Sequence, residues 1–427
     1  MSNSLPLVIV GSGGAAVNAV KAIRENSYQG EVHLFSDGVQ PPFNPMLLTY
    51  YLGGKIPLEK CYLFGNSFDF FQKYRVNLHS GRPITMLDVK EKLVIDDQGQ
   101  KVNYDSCLIA SGASAIVPPV FGSKSQRVFS IRTIEDAVRL RELYLTRPRK
   151  VLLIGASMVG IKLVEIFQET GSEVFLVDLA HHVFAQAAHP ECATVMEEQL
   201  QKHGINLILN TKVEAIEESK EGLKVNLAES GLELEVDLLV FCIGVRPNLE
   251  YIQPGQLEIE KGILVDNRMR ASAGNVYVAG DVVQGLNLIN QKKEVLALWA
   301  NACQQGRIAG ANMAGADVIY PGSIPQNITH FFDMFFVSIG DVHNYDEIER
   351  RHGNNAFSFF FKSKGRIIGV NFLTLGNYEW INSIGIIRYE ILKTLNYHDP
   401  SGPQRGFPAE TIINLQKVMK SGVMEVE

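Results

Sequence analysis

Two stretches of this 427-residue chain follow one plan: LVIV-GSGGAA at 7–16 and VLLI-GASMVG at 151–160. Each runs four apolar residues into a turn of glycine and other small residues, and then into a helix-forming segment. Four consecutive apolar residues suit a strand covered on both faces of a parallel sheet. Glycine at the first turn position permits the sharp corner. The helix that follows opens with N–H groups that have no intrahelical acceptor, and these, together with the helix dipole, favour an anion such as a pyrophosphate. A single turn of this kind is a weak signal, since plain strand-to-helix corners also use glycine. Two of them, each followed by a second strand and an acid, restrict the chain to an α/β fold with two Rossmann-like dinucleotide-binding units.

In the first unit the spacing predicts strand Leu7–Val10, a turn with Gly11, Gly13 and Gly14, and a helix through Ala19 and Ile23. Ala16 takes the third small position, and a second strand, Glu31–Phe35, ends at Ser36-Asp37. In the second unit strand Val151–Ile154 enters the turn Gly155–Gly160. A helix to about Glu169 stops at Gly171, and strand Glu173–Val177 ends at Asp178. An acid in that place binds ribose hydroxyls and repels a 2′-phosphate, and no arginine stands in Leu179–Phe184, so NAD is expected over NADP. His181 and His182 read as a solvated loop pair more than as adenosine contacts. Two later buried-type strands end in small residues: Tyr104–Ala113, with Ala110, Ser111 and Gly112, and Asn275–Asp281, with Gly280. Asp281 there offers a carboxylate to a polyol hydroxyl.

Composition removes several other classes. A formal charge of -6 and a pI near 6.0 leave no concentrated basic face for nucleic acid. The opening MSNSLPLVIV lacks a basic n-region, and no apolar run is long enough to span a membrane, so a cytoplasmic location is expected. Five cysteines stand apart, the smallest gap being Cys61 to Cys107, with no CxxC or CxxxxC pair. No metal site is expected.

GSGGAA, ASGA (110–113), IRTIEDA (131–137), the second glycine turn, IGVRPN (243–248) and VYVAGD together resemble the pyridine nucleotide–disulfide oxidoreductase superfamily over about residues 5–315. The resemblance implies an FAD-binding domain of residues 1–117 and 245–319, an inserted NAD(H)-binding domain of 118–244, and a C-terminal α+β interface domain of 320–427. It implies FAD contacts from Gly11, Gly13, Gly14, Ala15, Asp37, Pro45, Ile84, Ala110, Ser111, Gly112, Arg132, Gly280, Asp281, Leu298 and Trp299. It implies NAD contacts from Gly155, Ser157, Met158, Val159, Gly160, Asp178 and Gly244. A helix from near Val295 to Met313 is expected to aim its N-terminus at the flavin, with Trp299 divided evenly between flavin contact and core packing.

The chain also departs from that pattern. Disulfide-reducing members carry thiols on the first helix or in the segment near residue 42, where this chain has AAVNAVKAI and PPFNPMLLTYYL. The latter stretch resembles NADH-linked flavin subunits of phenylglyoxylate dehydrogenase and tungsten aldehyde oxidoreductase complexes. Ser157 replaces the second glycine of the turn, where a small hydroxyl is able to donate to a phosphate. Lys162 stands where relatives of the resembled family carry glutamate near the nicotinamide carboxamide, and is the one candidate catalytic side chain. It is expected to approach the flavin or turn to solvent, and Lys162→Glu to change hydride transfer more than NAD affinity. HFFDMFF (330–336) and Phe357–Phe361 are expected to supply strand core more than a docking face. A helix Tyr378–Leu395 and a loop after Asp399 are expected beyond them.

The leading expectation is an FAD-containing enzyme exchanging hydride with NAD(H) and passing electrons to or from an iron–sulfur or metalloenzyme partner subunit. A stand-alone NADH oxidase or small-molecule (quinone) reductase, and an FAD-binding structural or sensing subunit without hydride transfer, remain as alternatives.

Overall fold

The computed structural model describes residues 5–228, 231–353 and 355–376, with Arg388, Ile391 and Leu392. The expected helix Tyr378–Leu395, apart from those three positions, and the loop after Asp399 lie outside the described residues. The chain forms two compact units. Residues 1–45, 57–114 and 246–324 make the first, and 46–56, 115–245 and 325–427 the second.

The chain opens with β1 (Leu7–Val10), α1 (Gly14–Glu25) and β2 (Val32–Ser36). A short helix, α2 (Leu48–Leu52), belongs to the second unit, and β3 (Asn77–Ser80) and β4 (Ser106–Ile109) to the first. Between β3 and β4 runs a three-stranded antiparallel sheet of Ile84–Asp88, Leu93–Asp96 and Lys101–Asn103. All four residues of β1 are buried because sheet neighbours flank the strand and other layers cover both its faces.

The second unit repeats the alternation: β5 (Val128–Ser130), α3 (Ile134–Leu145), β6 (Lys150–Ile154), α4 (Met158–Gln168), β7 (Glu173–Val177), α5 (Pro190–Lys202), β8 (Asn206–Ile208) and β9 (Leu238–Phe241). Its parallel sheet has the order β8-β7-β6-β9-β5. Thr133 and Asp136 start α3 with a reciprocal capping box, and Gly171, at φ 84°, follows α4.

The chain then returns to the first unit with β10 (Val276–Val278) and α6 (Trp299–Met313), completing the parallel order β10-β4-β1-β2-β3. The helix starts at Trp299 and not near Val295, because Val295 is still paired with Gln284 in an antiparallel strand. Glycines let α6 cross α1 at backbone distance: a Cβ on Gly306 would lie 2.0 Å from the Ala15 carbonyl oxygen, and one on Gly310 2.3 Å from that of Ala19.

An antiparallel sheet, order β11-β12-β15-β14-β13, follows in the second unit: β11 (Gln326–Phe331), β12 (Met334–Gly340), β13 (Glu347–Gly353), β14 (Ala356–Ser363) and β15 (Arg366–Leu375). Lys364 and Gly365, both at positive φ, make the turn between β14 and β15. Phe331, Phe335, Phe336, Phe359 and Phe361 are fully buried, so the phenylalanine-rich strands are core. Buried Asn371 pins this sheet to the nucleotide half of its own unit, accepting from the His189 backbone N–H at 2.7 Å and donating to the Ala187 carbonyl at 2.9 Å.

Candidate nucleotide-binding sites

In the first unit the parallel register pairs Val10 with Phe35 and Ile109, and Ile109 with Val278, so the ends of β1, β2, β4 and β10 share one edge. That edge collects Gly11, Gly13, Gly14 and Ala15 after β1, Asp37 after β2, Ala110, Ser111 and Gly112 after β4, and Gly280 and Asp281 after β10. The carboxyl edge of such a sheet is where α/β folds take nucleotides. Gly11 has φ 109°, and a Cβ there would sit 2.1 Å from the Ala110 carbonyl oxygen. Gly13 faces open space, since a Cβ at that position would meet nothing within 4 Å. Among the described residues no side chain caps α1, and its first N–H groups have no intrahelical acceptor, which suits them to an anion. Asp37 is exposed, and one carboxylate oxygen accepts from the Gly38 N–H at 2.8 Å. The open cradle at Gly13, the uncapped helix and the acid at the end of β2 fit the pyrophosphate and adenosine ribose of FAD.

Other candidate residues stand around this edge in different ways. The Trp299 ring lies against Gly14, where a Cβ would come within 2.8 Å of it, so packing on α1 accounts for part of this aromatic. Leu298 is the N-cap position of α6 and offers no capping side chain. Ile84 is buried in the first unit's core, and Pro45 begins a single helical turn. Arg132 belongs to the second unit, where its N–H donates to Asp136 just ahead of α3.

Asn248, absent from the residues expected at the site, secures the Ser111-Gly112 turn. Its side chain donates to the Ser111 carbonyl at 2.9 Å, its backbone N–H donates to the Gly112 carbonyl at 3.0 Å, and its own carbonyl accepts from the Ser111 hydroxyl at 2.9 Å. Ser114 donates to its side-chain oxygen at 2.7 Å, and the Tyr251 hydroxyl donates to Ser111 Oγ at 3.1 Å. The sequence does carry a signal for it, since Asn248 closes the IGVRPN motif. Gln305 carries none: from α6 its side chain accepts from the Gly280 N–H at 2.9 Å.

The second edge forms where Ile154 pairs with Val177 and Phe241, and Phe241 with Ser130. It gathers Gly155, Ser157, Met158, Val159 and Gly160 after β6, Asp178 after β7 and Gly244 after β9. Gly155 has φ 108° with the Cys242 carbonyl 2.5 Å from a Cβ position, and Gly244 has φ 103°. Val159 is 38% exposed, Ile243 39% and Leu179 65%, three apolar side chains left open around one sheet edge, as a nucleotide site requires. Asp178 accepts from the Ala156 N–H at 2.6 Å and from the Ala180 N–H at 2.7 Å, one on each oxygen. Each oxygen keeps a lone pair for a ribose hydroxyl. The histidine pair divides: His181 is exposed, whereas His182 is buried with Nδ1 2.9 Å from the Val183 carbonyl.

Ser157 is the N-cap of α4. Its Oγ accepts from the Gly160 N–H at 3.3 Å and donates to the Cys242 carbonyl at 2.7 Å, so its proton is directed at protein. Lys162 neither turns to solvent nor stays free. Its Nζ lies 2.5 Å from Glu165 Oε2, 2.9 Å from the His330 carbonyl and 3.2 Å from His330 Nε2, with the Tyr50 ring centroid at 5.6 Å. Three protons meet three acceptors, which joins α4 to β11 within the second unit. Burial lowers the pKa of Lys162, the adjacent Glu165 opposing it. Burial, and then the Lys162 charge, lower His330 to about 4. Burial, and then Glu165, push Tyr50 up to about 12.

The 46–56 segment, which holds no thiol, is fixed by cations. Arg141 Nη1 donates to the carbonyls of Tyr51 at 2.5 Å and Leu52 at 2.7 Å, and Lys55 meets Glu169 at 3.3 Å. None of the five cysteines forms a disulfide, and burial raises every one of their thiol pKa values.

A family profile described as pyridine nucleotide-disulphide oxidoreductase matches residues 5–306. The epsilon subunit of NADH-dependent phenylglyoxylate dehydrogenase from Aromatoleum evansii is 30% identical over 335 residues, 78% of each chain. Rubredoxin-NAD(+) reductase from Pseudomonas putida is 28% identical over 81% of this chain and 89% of its own. Among solved structures, the water-forming NADH oxidase from Lactobacillus brevis bound to NADH superposes with a TM-score of 0.82 at 24% identity. It covers 92% of this chain and 89% of that one.

Proposed function

Since this chain belongs to the pyridine nucleotide-disulphide oxidoreductase family, an FAD- and NAD(H)-dependent group of oxidoreductases, we propose that it couples NAD(H) to a separate electron-carrying protein. The observation that carries the finer reading is the placement of its cysteines. They stand at least 46 residues apart with no disulfide and with every thiol raised by burial, and the 46–56 segment is held by Arg141, Glu169 and Lys162 in place of any redox thiol. Thiol chemistry within the chain is thereby disfavoured, and the electrons need another carrier. Two relatives have names that suit this: one is a subunit of a dehydrogenase, the other a reductase named for rubredoxin. We infer that the partner carries an iron–sulfur or other metal centre and that the pair works in the cytoplasm.

FAD, when bound, supplies two-electron exchange with a nicotinamide and one-electron exchange with a carrier. The chain's own part is binding and orientation. In this reading the N–H groups at the start of α1 hold the pyrophosphate, while Asp37 and Asp281 take adenosine ribose and ribitol hydroxyls. Ser111 and Gly112, held by Asn248, keep the backbone beside the cofactor in one conformation. On the second edge the start of α4 takes the NAD(H) pyrophosphate, and Asp178 admits a ribose 2′-hydroxyl and repels a 2′-phosphate.

Isolation of the native protein under anoxic, reducing conditions, with identification of what copurifies, tests this. A stoichiometric metal-containing subunit that is reduced when NADH is added supports it. Full NADH turnover by the chain alone with oxygen or a quinone overturns it in favour of a stand-alone oxidase. Flavin that NADH leaves oxidised points instead to a subunit without hydride transfer.

A further inference from the structure

The two glycine turns differ in who satisfies the helix start. At α1 the N-cap is Gly13, with open space beside it and no capping side chain. At α4 the N-cap is Ser157, whose Oγ takes the Gly160 N–H while its proton goes to the Cys242 carbonyl. One residue earlier, the Ala156 N–H is taken by Asp178. The second turn therefore fills two of its own donors from within, leaving the N–H groups of Met158 and Val159, which have no intrahelical acceptor. The turn is also tight, since a Cβ on Gly160 would lie 1.9 Å from the Gly155 carbonyl oxygen.

We propose that Ser157 is a built-in substitute for a dinucleotide phosphate oxygen, a positioning residue that keeps the turn in its binding shape when empty and holds NAD(H) affinity down. The inference rests on the reading of this turn as the NAD(H) pyrophosphate site. Its Oγ occupies the third-residue donor that a phosphate oxygen would otherwise take, and its Cβ fills the side of the turn that is open at Gly13. Because its proton is held by Cys242 at the shorter of its two bonds, the hydroxyl does not return that donor to the phosphate. A dinucleotide is thus gripped by one N–H fewer and held slightly farther out, which favours rapid exchange of NAD+ for NADH.

The test is the affinity of ADP-ribose, which carries the pyrophosphate and no nicotinamide, for the FAD-loaded protein by calorimetry, with NAD+ in parallel. Ser157→Ala frees the Gly160 N–H and keeps the Cβ; Ser157→Gly removes both. The expected order of Kd is wild type highest, Ser157→Ala lower and Ser157→Gly lowest. The overall fall is about tenfold, the gain of one charge-assisted hydrogen bond. Without dinucleotide, Ser157→Ala should melt about 1–2 °C lower and Ser157→Gly less than that, since glycine is itself a tolerated N-cap. A residue that merely supports the turn would give the opposite affinity order, because loosening the turn weakens binding. Equal or rising Kd values from serine to glycine overturn the proposal while leaving the site assignment intact. A wild-type protein that binds neither ligand overturns the site assignment as well.

Discussion

Lys162 has three protons to give and three acceptors within 3.2 Å, on Glu165 and His330. Lys162→Met leaves Glu165 buried without its cation, and the expected loss is about 3–5 kcal/mol in urea unfolding. Lys162→Met with Glu165→Met should recover most of that loss, because paired removal strands no charge; a double variant no better than the single would refute the pairing. Lys162→Glu sets a second carboxylate beside Glu165, so its first effect is on stability, and it is a poor probe of hydride transfer. His330 yields a pH prediction. Its ordinary value is 6.5, and in the folded protein burial and the Lys162 charge lower it to about 4. The unfolded chain therefore binds the extra proton between those values, and this contribution to stability is complete above pH 6.5 and is lost as the pH falls towards 4. The melting temperature of His330→Asn should fall less steeply than that of the wild type over that range; parallel curves would show that another group governs it.

At the scale of elements, α6 carries two interior glycines at a cost of about 1 kcal/mol each in helix propensity. They are tolerated because α1 lies at backbone distance. Gly306→Val should force the helices apart, costing roughly 1–3 kcal/mol or more, and lower the FAD content of the purified protein, since α1 opens the cradle. Undiminished flavin in Gly306→Val would show that the crossing does not shape the site. Periodicity carries α6 through to Met313 yet places its start near Val295, because a short antiparallel pairing with Gln284 claims that residue and such pairing leaves no local trace. Strand burial behaves differently. Runs such as Leu7–Val10 and Val151–Ile154 are legible because being covered on both faces demands an unbroken apolar sequence.

At the scale of the molecule, the two candidate nucleotide edges belong to different sheets. Asp281→Ala should therefore lower FAD content and leave ADP-ribose affinity within about twofold, since its carboxylate ends β10 while Asp178 ends β7. Loss of both together would contradict separate sites. The sequence by itself determined the α/β class, the two glycine turns and the acids after their second strands, because each follows from local rules of strand burial, turn conformation and helix-end electrostatics. The tertiary structure alone decided that Asn248 secures the Ser111 turn, that Lys162 faces Glu165 and His330, and that Ser157 spends its hydroxyl on Gly160 and Cys242. Those partners lie from 3 to 168 residues away in the chain, and for the distant ones only the folded backbone brings donor and acceptor within reach. Read locally, Ser157 offers a small hydroxyl to a phosphate; in the folded protein that hydroxyl is already satisfied.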